Sequence, residues 1–158
     1  MDTSAWVLDA SVAAKWFLPS EGETFAEEAL GILADFAAGR CRLLVPDLFW
    51  PEVANIFWKA ARTGRITRQI AEEAMDTLLS LGLETKPSLA VVKPAARFAL
   101  ANNRPVYDSM YVALAVVSGR RLLTADERLV NALGSRFPLT WLGAVAPPDG
   151  DQSRADQY

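Results

Sequence analysis

The chain contains no histidine. That absence removes the commonest general base, the Ser-His-Asp and Cys-His nucleophile systems, and the commonest nitrogen ligand for a metal, so any hydrolysis must run on carboxylates, lysine or metal-bound water. Cysteine is nearly absent as well. Cys41, the only one, can form neither an internal disulfide nor a cysteine zinc site within one chain, and it reads as a small buried hydrophobe. No stretch of about 18 uncharged apolar residues occurs, and the opening Met1-Asp-Thr-Ser-Ala-Trp-Val-Leu-Asp9 lacks the basic and apolar regions of a signal peptide. A cytoplasmic protein with no membrane span is the expectation. Positive charge is also scarce: 16 Lys and Arg against 19 Asp and Glu give a net charge of -3. This counts against a passive nucleic-acid binder, but not against a hydrolase that borrows positive charge from bound cations.

What is present is enough for one core. The 158 residues are 51% apolar, the size and composition of a single domain, expected over 1–145, with a polar, flexible tail over 146–158. Ala5 to Leu8 is an apolar run that ends at Asp9, and Ser11 to Leu18 reads as a short helix stopped by Pro19. A helix is expected over 24–38, a buried strand over 42–45, and a long helix capped by Asp47 and reaching Ala61. That helix and the next, 67–81, flank Gly64 and the N-cap candidate Thr67, which makes a helical hairpin. Between Leu83 and Val92 a short strand is expected, then a helix over 94–101. A helix follows from Asp108 to Val117, a strand over 121–123, a helix from Asp126 to Leu133, and a last strand over 139–142. Short apolar strands alternating with helices predict a three-layer α/β/α fold around a central, mostly parallel sheet. Ligands in such sheets bind beyond the carboxyl ends of the strands, so the residues that follow each strand matter most.

Four acidic positions stand out there. Asp9, Asp108 and Asp126 each have a plain alternative as a strand stop or helix cap. Glu52 lies inside its helix and needs no capping explanation; its alternative is a solvated face, because Glu52, Asn55, Lys59 and Arg62 share one polar stripe at about 100° per residue. Jointly they say more. Two carboxylates about 4 Å apart repel by about 4 kcal/mol at an effective dielectric of about 20, so a cluster of them is costly unless a cation occupies it. Hard divalent ions with oxygen ligands are the natural occupants, and such a site can activate water and hold a phosphate.

Four segments carry a family resemblance. Asp9-Ala-Ser-Val-Ala-Ala-Lys-Trp-Phe-Leu-Pro19 resembles the opening of PIN-domain proteins, particularly VapC-type toxins of type II toxin-antitoxin systems. Val45-Pro-Asp-Leu-Phe-Trp-Pro-Glu-Val-Ala-Asn55 is similar to the family's glutamate helix, Tyr107-Asp-Ser-Met-Tyr-Val-Ala-Leu-Ala115 to its third acidic motif, and Leu123-Thr-Ala-Asp-Glu-Arg-Leu129 to its fourth. The resemblance spans residues 5 to 142 and implies an endoribonuclease dependent on Mg2+, with Mn2+ as a substitute, whose ion is held by Asp9, Glu52, Asp108 and Asp126. It also implies supporting hydrogen bonds from Ser11 and Thr124, a homodimer, and a cognate VapB-type antitoxin that enters the active-site groove; Asn55, on the Glu52 stripe, is a third candidate for support. Some relatives carry a fifth acidic residue two places after the fourth, where this chain has Arg128.

For an RNA path the candidates are Lys59, Arg62, Arg65 and Arg68 around the hairpin, with Lys15 and Arg104 behind them. Trp16, Trp50 and Trp58 either stack on bases or belong to the core or a dimer interface. Competing readings remain: a PIN ribonuclease of RNA processing or decay without an antitoxin, and a non-catalytic PIN interaction module. An aspartate-nucleophile phosphatase wants Asp-x-Asp where this chain has Asp9-Ala-Ser11, and no Gly-x-x-x-x-Gly-Lys loop exists for a P-loop nucleotidase.

Overall fold

A computed structural model describes residues 4–147. Most of the expected tail, from residue 148 onward, lies outside them. The strands β1 (Ser4–Leu8), β2 (Cys41–Pro46), β3 (Glu84–Lys86), β4 (Arg121–Thr124) and β5 (Leu139–Trp141) form one parallel sheet in the order β3-β2-β1-β4-β5. The helices are α1 (Ala10–Ala13), continued by a 3-10 turn over Ala14–Trp16, then α2 (Ala26–Ala37), α3 (Phe49–Arg62), α4 (Arg68–Ser80), α5 (Val92–Asn102), α6 (Val106–Ser118) and α7 (Glu127–Leu133). Parallel neighbours need crossover connections, and the helices supply them, so the sheet is covered on both faces in a three-layer α/β/α arrangement. Consecutive residues Val7 and Leu8, Leu43 and Leu44, and Leu122 and Leu123 point to opposite faces, yet each is at most 2% exposed. α6 packs on β1, β2 and β4 with α5 against it, and α3 and α4 form the helical hairpin. No helix among the described residues is long and apolar enough to cross a membrane.

The strand order decides where a site can form. From β1 the chain moves outward through β2 to β3, then returns to lay β4 on the other side of β1 and continues to β5. The crevice between the carboxyl ends of β1 and β4 is therefore the topological switch point, the usual ligand position in open α/β sheets. Asp9 follows β1 and Asp126 lies just past β4, and the Asp9 backbone N–H donates to the Leu123 carbonyl at 3.0 Å.

Two expected caps differ. Asp47 does not cap α3; its Oδ2 accepts the Ser88 N–H at 3.0 Å and its Oδ1 accepts the Ser88 hydroxyl, tying the end of β2 to the segment after β3. Asp108 does not cap α6 either, because the helix begins earlier, with Pro105 as N-cap, and Asp108 sits in its first turn. Thr67 does cap α4, accepting from the Ile70 N–H at 3.2 Å. Cys41 is buried, and burial pushes its thiol up to about 11, which keeps it inert at neutral pH.

Candidate active site

All four acidic residues stand at helix N-termini. Asp9 is the N-cap of α1 in extended conformation, Glu52 and Asp108 lie in the first turns of α3 and α6, and Asp126 caps α7 by accepting the Leu129 N–H at 3.1 Å. Asp9 and Asp126 act as caps, whereas Glu52 and Asp108 lie just inside their helices. Free N–H groups at the starts of the longer helices favour negative charge there and offset part of the repulsion between carboxylates.

Asp9 is the most constrained of the four. Its Oδ2 accepts the Thr124 hydroxyl at 2.7 Å and the Ser11 hydroxyl at 3.0 Å, while Oδ1 has only a long contact of 3.5 Å from the Ser11 N–H. Both hydroxyls are held from behind, because Thr124 Oγ1 accepts the Asp126 N–H at 3.1 Å and Ser11 Oγ accepts the Ala125 N–H at 3.2 Å. A hydroxyl whose oxygen already accepts a backbone N–H turns its proton to the carboxylate. The expected support from Ser11 and Thr124 therefore has a definite geometry. Asn55 is exposed, and among the described residues no hydrogen bond joins it to a carboxylate.

Tyr111, which the sequence reading did not single out, donates its hydroxyl to Glu52 Oε2 at 2.5 Å. It stands three residues after Asp108 on α6, so it shares that residue's helix face, and this spacing was the available signal. Burial pushes the Tyr111 phenol upward, and the charges of Asp9 and Glu52 push it further, which keeps it a hydrogen donor.

The carboxylates feel one another. Asp9 is raised, first by burial and also by Asp108, with the Thr124 and Ser11 bonds working against the shift. Burial raises Glu52, opposed by the Tyr111 bond and reinforced by Asp9 and Asp108. Asp108 is raised by burial and by Asp126, against Arg104. Among the described residues no three acidic side chains are drawn into a ready metal-ligand group; they share a neighbourhood without closing on one point. The donor set nevertheless fits a hard divalent cation: it is all oxygen, mutually repelling, and the protein's hydrogen bonds fall chiefly on one oxygen each of Asp9, Glu52 and Asp126, leaving the other oxygen available.

A cleft of about 340 Å³ opens beside the site, and its lining includes Ser11 and Asp126 together with Lys15, Glu23 and Arg65. The larger cleft of about 520 Å³, between α2 and Val145 to Pro147, includes none of the four carboxylates.

A profile of the PIN domain matches residues 6–133. The chain belongs to the PIN-domain family. Ribonuclease VapC3 of Pyrobaculum aerophilum is 35% identical over 134 residues, 84% of this chain and 94% of that protein. Among solved structures, PAE2754 from Pyrobaculum aerophilum shares the fold with a TM-score of 0.63 at 22% identity, covering 82% of this chain and 80% of that one. VapBC2 from Rickettsia felis, bound to a DNA fragment from its promoter, shares it with a TM-score of 0.57 at 11% identity over 86% and 97%. The PIN match spans β1 to α7 and contains all four acidic residues.

The remaining candidates are distributed around this PIN core. Arg68 pairs with Glu72 one turn along α4 at 2.8 Å, and Arg62 lies over the exposed Trp58 ring at 5.2 Å. Lys59 is exposed at the end of α3. Trp16 is core, its indole N–H donating to the Ala29 carbonyl at 2.7 Å, and Trp50 donates to Thr85 at 3.2 Å. Trp58, 54% exposed, is the most open of the three, with Arg62 over its ring. Arg128 is exposed on α7.

Proposed function

We propose that this PIN-domain protein is a metal-dependent endoribonuclease, the VapC-type toxin of a toxin-antitoxin pair, which hydrolyses RNA phosphodiester bonds at Asp9, Glu52, Asp108 and Asp126. The observation that carries the assignment is Asp9 pinned at the switch point by two pre-oriented hydroxyls, one of which also accepts the Asp126 backbone N–H from the neighbouring strand end. The likeness to Ribonuclease VapC3 supports the choice of RNA.

The four carboxylates would hold Mg2+ or Mn2+. When bound, such an ion supplies Lewis-acid polarisation of phosphate oxygens and acidifies water. The chain's own residues do the rest. Ser11 and Thr124 fix one Asp9 oxygen and so aim the other toward the crevice, and Tyr111 does the same for Glu52. With no histidine in the chain, no side chain of ordinary pKa near 7 competes as base, and the carboxylates must work ionised. The assigned partners are a VapB-type antitoxin and a second copy of the chain. Apolar side chains left exposed on α5 and α6, among them Leu100, Val116 and Val117, support a homodimer. In this reading the protein acts on RNA in the cytoplasm.

The test is cleavage of single-stranded and structured RNA by purified, antitoxin-free protein with Mg2+ or Mn2+, beside EDTA and Asp9→Asn. Cleavage that needs the metal and is lost in the variant is expected. Cleavage unaffected by either control would remove the carboxylates from the mechanism.

A further inference from the structure

Lys15, Glu23 and Arg65 form a three-charge cluster that no motif reading brought together. Glu23 Oε2 accepts the Lys15 ammonium at 2.9 Å and Oε1 accepts the Arg65 guanidinium at 2.8 Å. The Lys15 and Glu23 side chains are 9% and 13% exposed, and Arg65 is 41% exposed. The three residues come from separate places: Lys15 from the turn continuing α1, Glu23 from the segment before α2, and Arg65 from the tip of the α3–α4 hairpin. Burial pushes the Glu23 carboxyl up, but the two cations outweigh it and hold it below its ordinary value, so it bridges them as an anion.

A buried Lys–Glu pair by itself adds little stability, because desolvation offsets most of the attraction. Here a second cation is added, and the three side chains carry a net single positive charge on the wall of a cleft that Ser11 and Asp126 also line. Glu23 takes one of three ammonium hydrogens and one of five guanidinium N–H groups, so both cations keep donors beyond those it occupies. A monoanionic phosphodiester matches both the charge and the donors. Building on the ribonuclease reading, we propose that Lys15, Glu23 and Arg65 form a phosphate subsite for the RNA backbone next to the cleaved bond, with Glu23 as the positioning residue that holds the two cations at fixed spacing.

The experiment measures binding of a labelled single-stranded RNA in Ca2+ over a range of salt, together with kcat and KM for cleavage in Mg2+. It compares wild type, Lys15→Met, Arg65→Met, Glu23→Gln, Glu23→Asp and a distant surface control, Arg97→Met. Loss of one phosphate contact to a single strand should reduce the slope of log affinity against log salt by about 0.7. Arg65→Met, at an exposed position and so the safer variant for folding, should show that reduction and raise KM on the order of tenfold with kcat nearly kept. Lys15→Met should match it if folded. Glu23→Gln frees both cations, so it should bind RNA at least as tightly as wild type while kcat falls on the order of tenfold, with Glu23→Asp recovering part of the loss. A purely structural cluster would not separate KM from kcat in this way.

A folded Arg65→Met with unchanged salt slope and KM overturns the subsite and leaves the ribonuclease reading standing. RNA binding with wild-type salt behaviour but no cleavage in any metal overturns the ribonuclease reading, and the slopes still decide the subsite.

Discussion

Thr124, at the end of β4, donates its hydroxyl to Asp9 Oδ2 at 2.7 Å across 115 positions of sequence, and accepts the Asp126 backbone N–H at 3.1 Å. One fully buried hydroxyl thus sets the carboxylate after β1 and the turn that presents Asp126 after β4. Thr124→Val keeps the shape and removes both bonds. Cleavage should fall by about 10- to 100-fold, as for other residues that orient metal ligands. Stability should drop by about 1–3 kcal/mol from the unpaired Asp126 N–H. Thr124→Ser should retain most of the activity. Urea unfolding and steady-state cleavage read the two effects separately, and wild-type activity in a folded Thr124→Val would show that the bond does not position Asp9.

Tyr111→Phe removes the donor to Glu52 together with the hydroxyl's contact to the Ala10 backbone. Because that hydrogen bond lowers the Glu52 pKa against burial and the neighbouring carboxylates, its loss raises the pKa further. The acid limb of the cleavage profile should move to higher pH, with the alkaline side unchanged. A shift to lower pH, or none, would contradict a working, ionised Glu52.

Asp9 and Glu52 make the metal-free protein sensitive to pH in an unusual direction. Both have folded pKa values raised above their ordinary 3.8 and 4.5, so the folded state binds more protons than the unfolded one. Their contribution to stability is full below those ordinary values and is lost as pH rises through the raised ones. In EDTA, Asp9→Asn should therefore melt higher than wild type at pH 7, and the difference should disappear toward pH 4 and below. Scanning calorimetry of both proteins at several pH values checks this; a lower melting temperature for the variant at neutral pH would mean that the carboxylate is stabilised by its hydrogen bonds more than it is penalised by burial.

Divalent metal should reverse that penalty. At a concentration about 100 times its Kd, an ion that binds only the folded state adds about 2.7 kcal/mol. A thermal shift with Mg2+ or Mn2+ is expected for wild type and should be largely lost in Asp108→Asn, since Asp108 is one of the four carboxylates assigned to the ion. An equal shift in Asp108→Asn would place the ion elsewhere.

Much of the fold was legible from local pattern. Alternating short apolar runs and helices define a parallel three-layer fold, and both Thr67 and Asp126 cap the helices assigned to them. The errors were of reach. Asp47 looks like a helix cap because it precedes an apolar helix, but Ser88, 41 positions away, takes its carboxylate. Asp108 looks like a cap because an apolar run follows it, whereas Pro105, suited by its fixed φ to a helix start, begins α6 one turn earlier. Of the four hairpin cations considered for RNA, Arg65 and Arg68 are paired to acids, one through a contact 42 positions distant and one through a neighbour on its own helix.

By itself the sequence determined which chemistry was open to this protein: without histidine and with one cysteine, hydrolysis was left to carboxylates, lysine or metal-bound water, and four motifs in order set acidic residues after strands and near helix starts. Only the tertiary structure decided how they are arranged. The order β3-β2-β1-β4-β5 puts Asp9 and Asp126 on either side of one crevice, and the pairs Thr124–Asp9, Tyr111–Glu52 and Arg65–Glu23 join residues 115, 59 and 42 positions apart. Local periodicity reports only which face of an element a side chain occupies. Which distant side chain meets it there depends on strand order and helix packing, and those follow from closing the whole core at once.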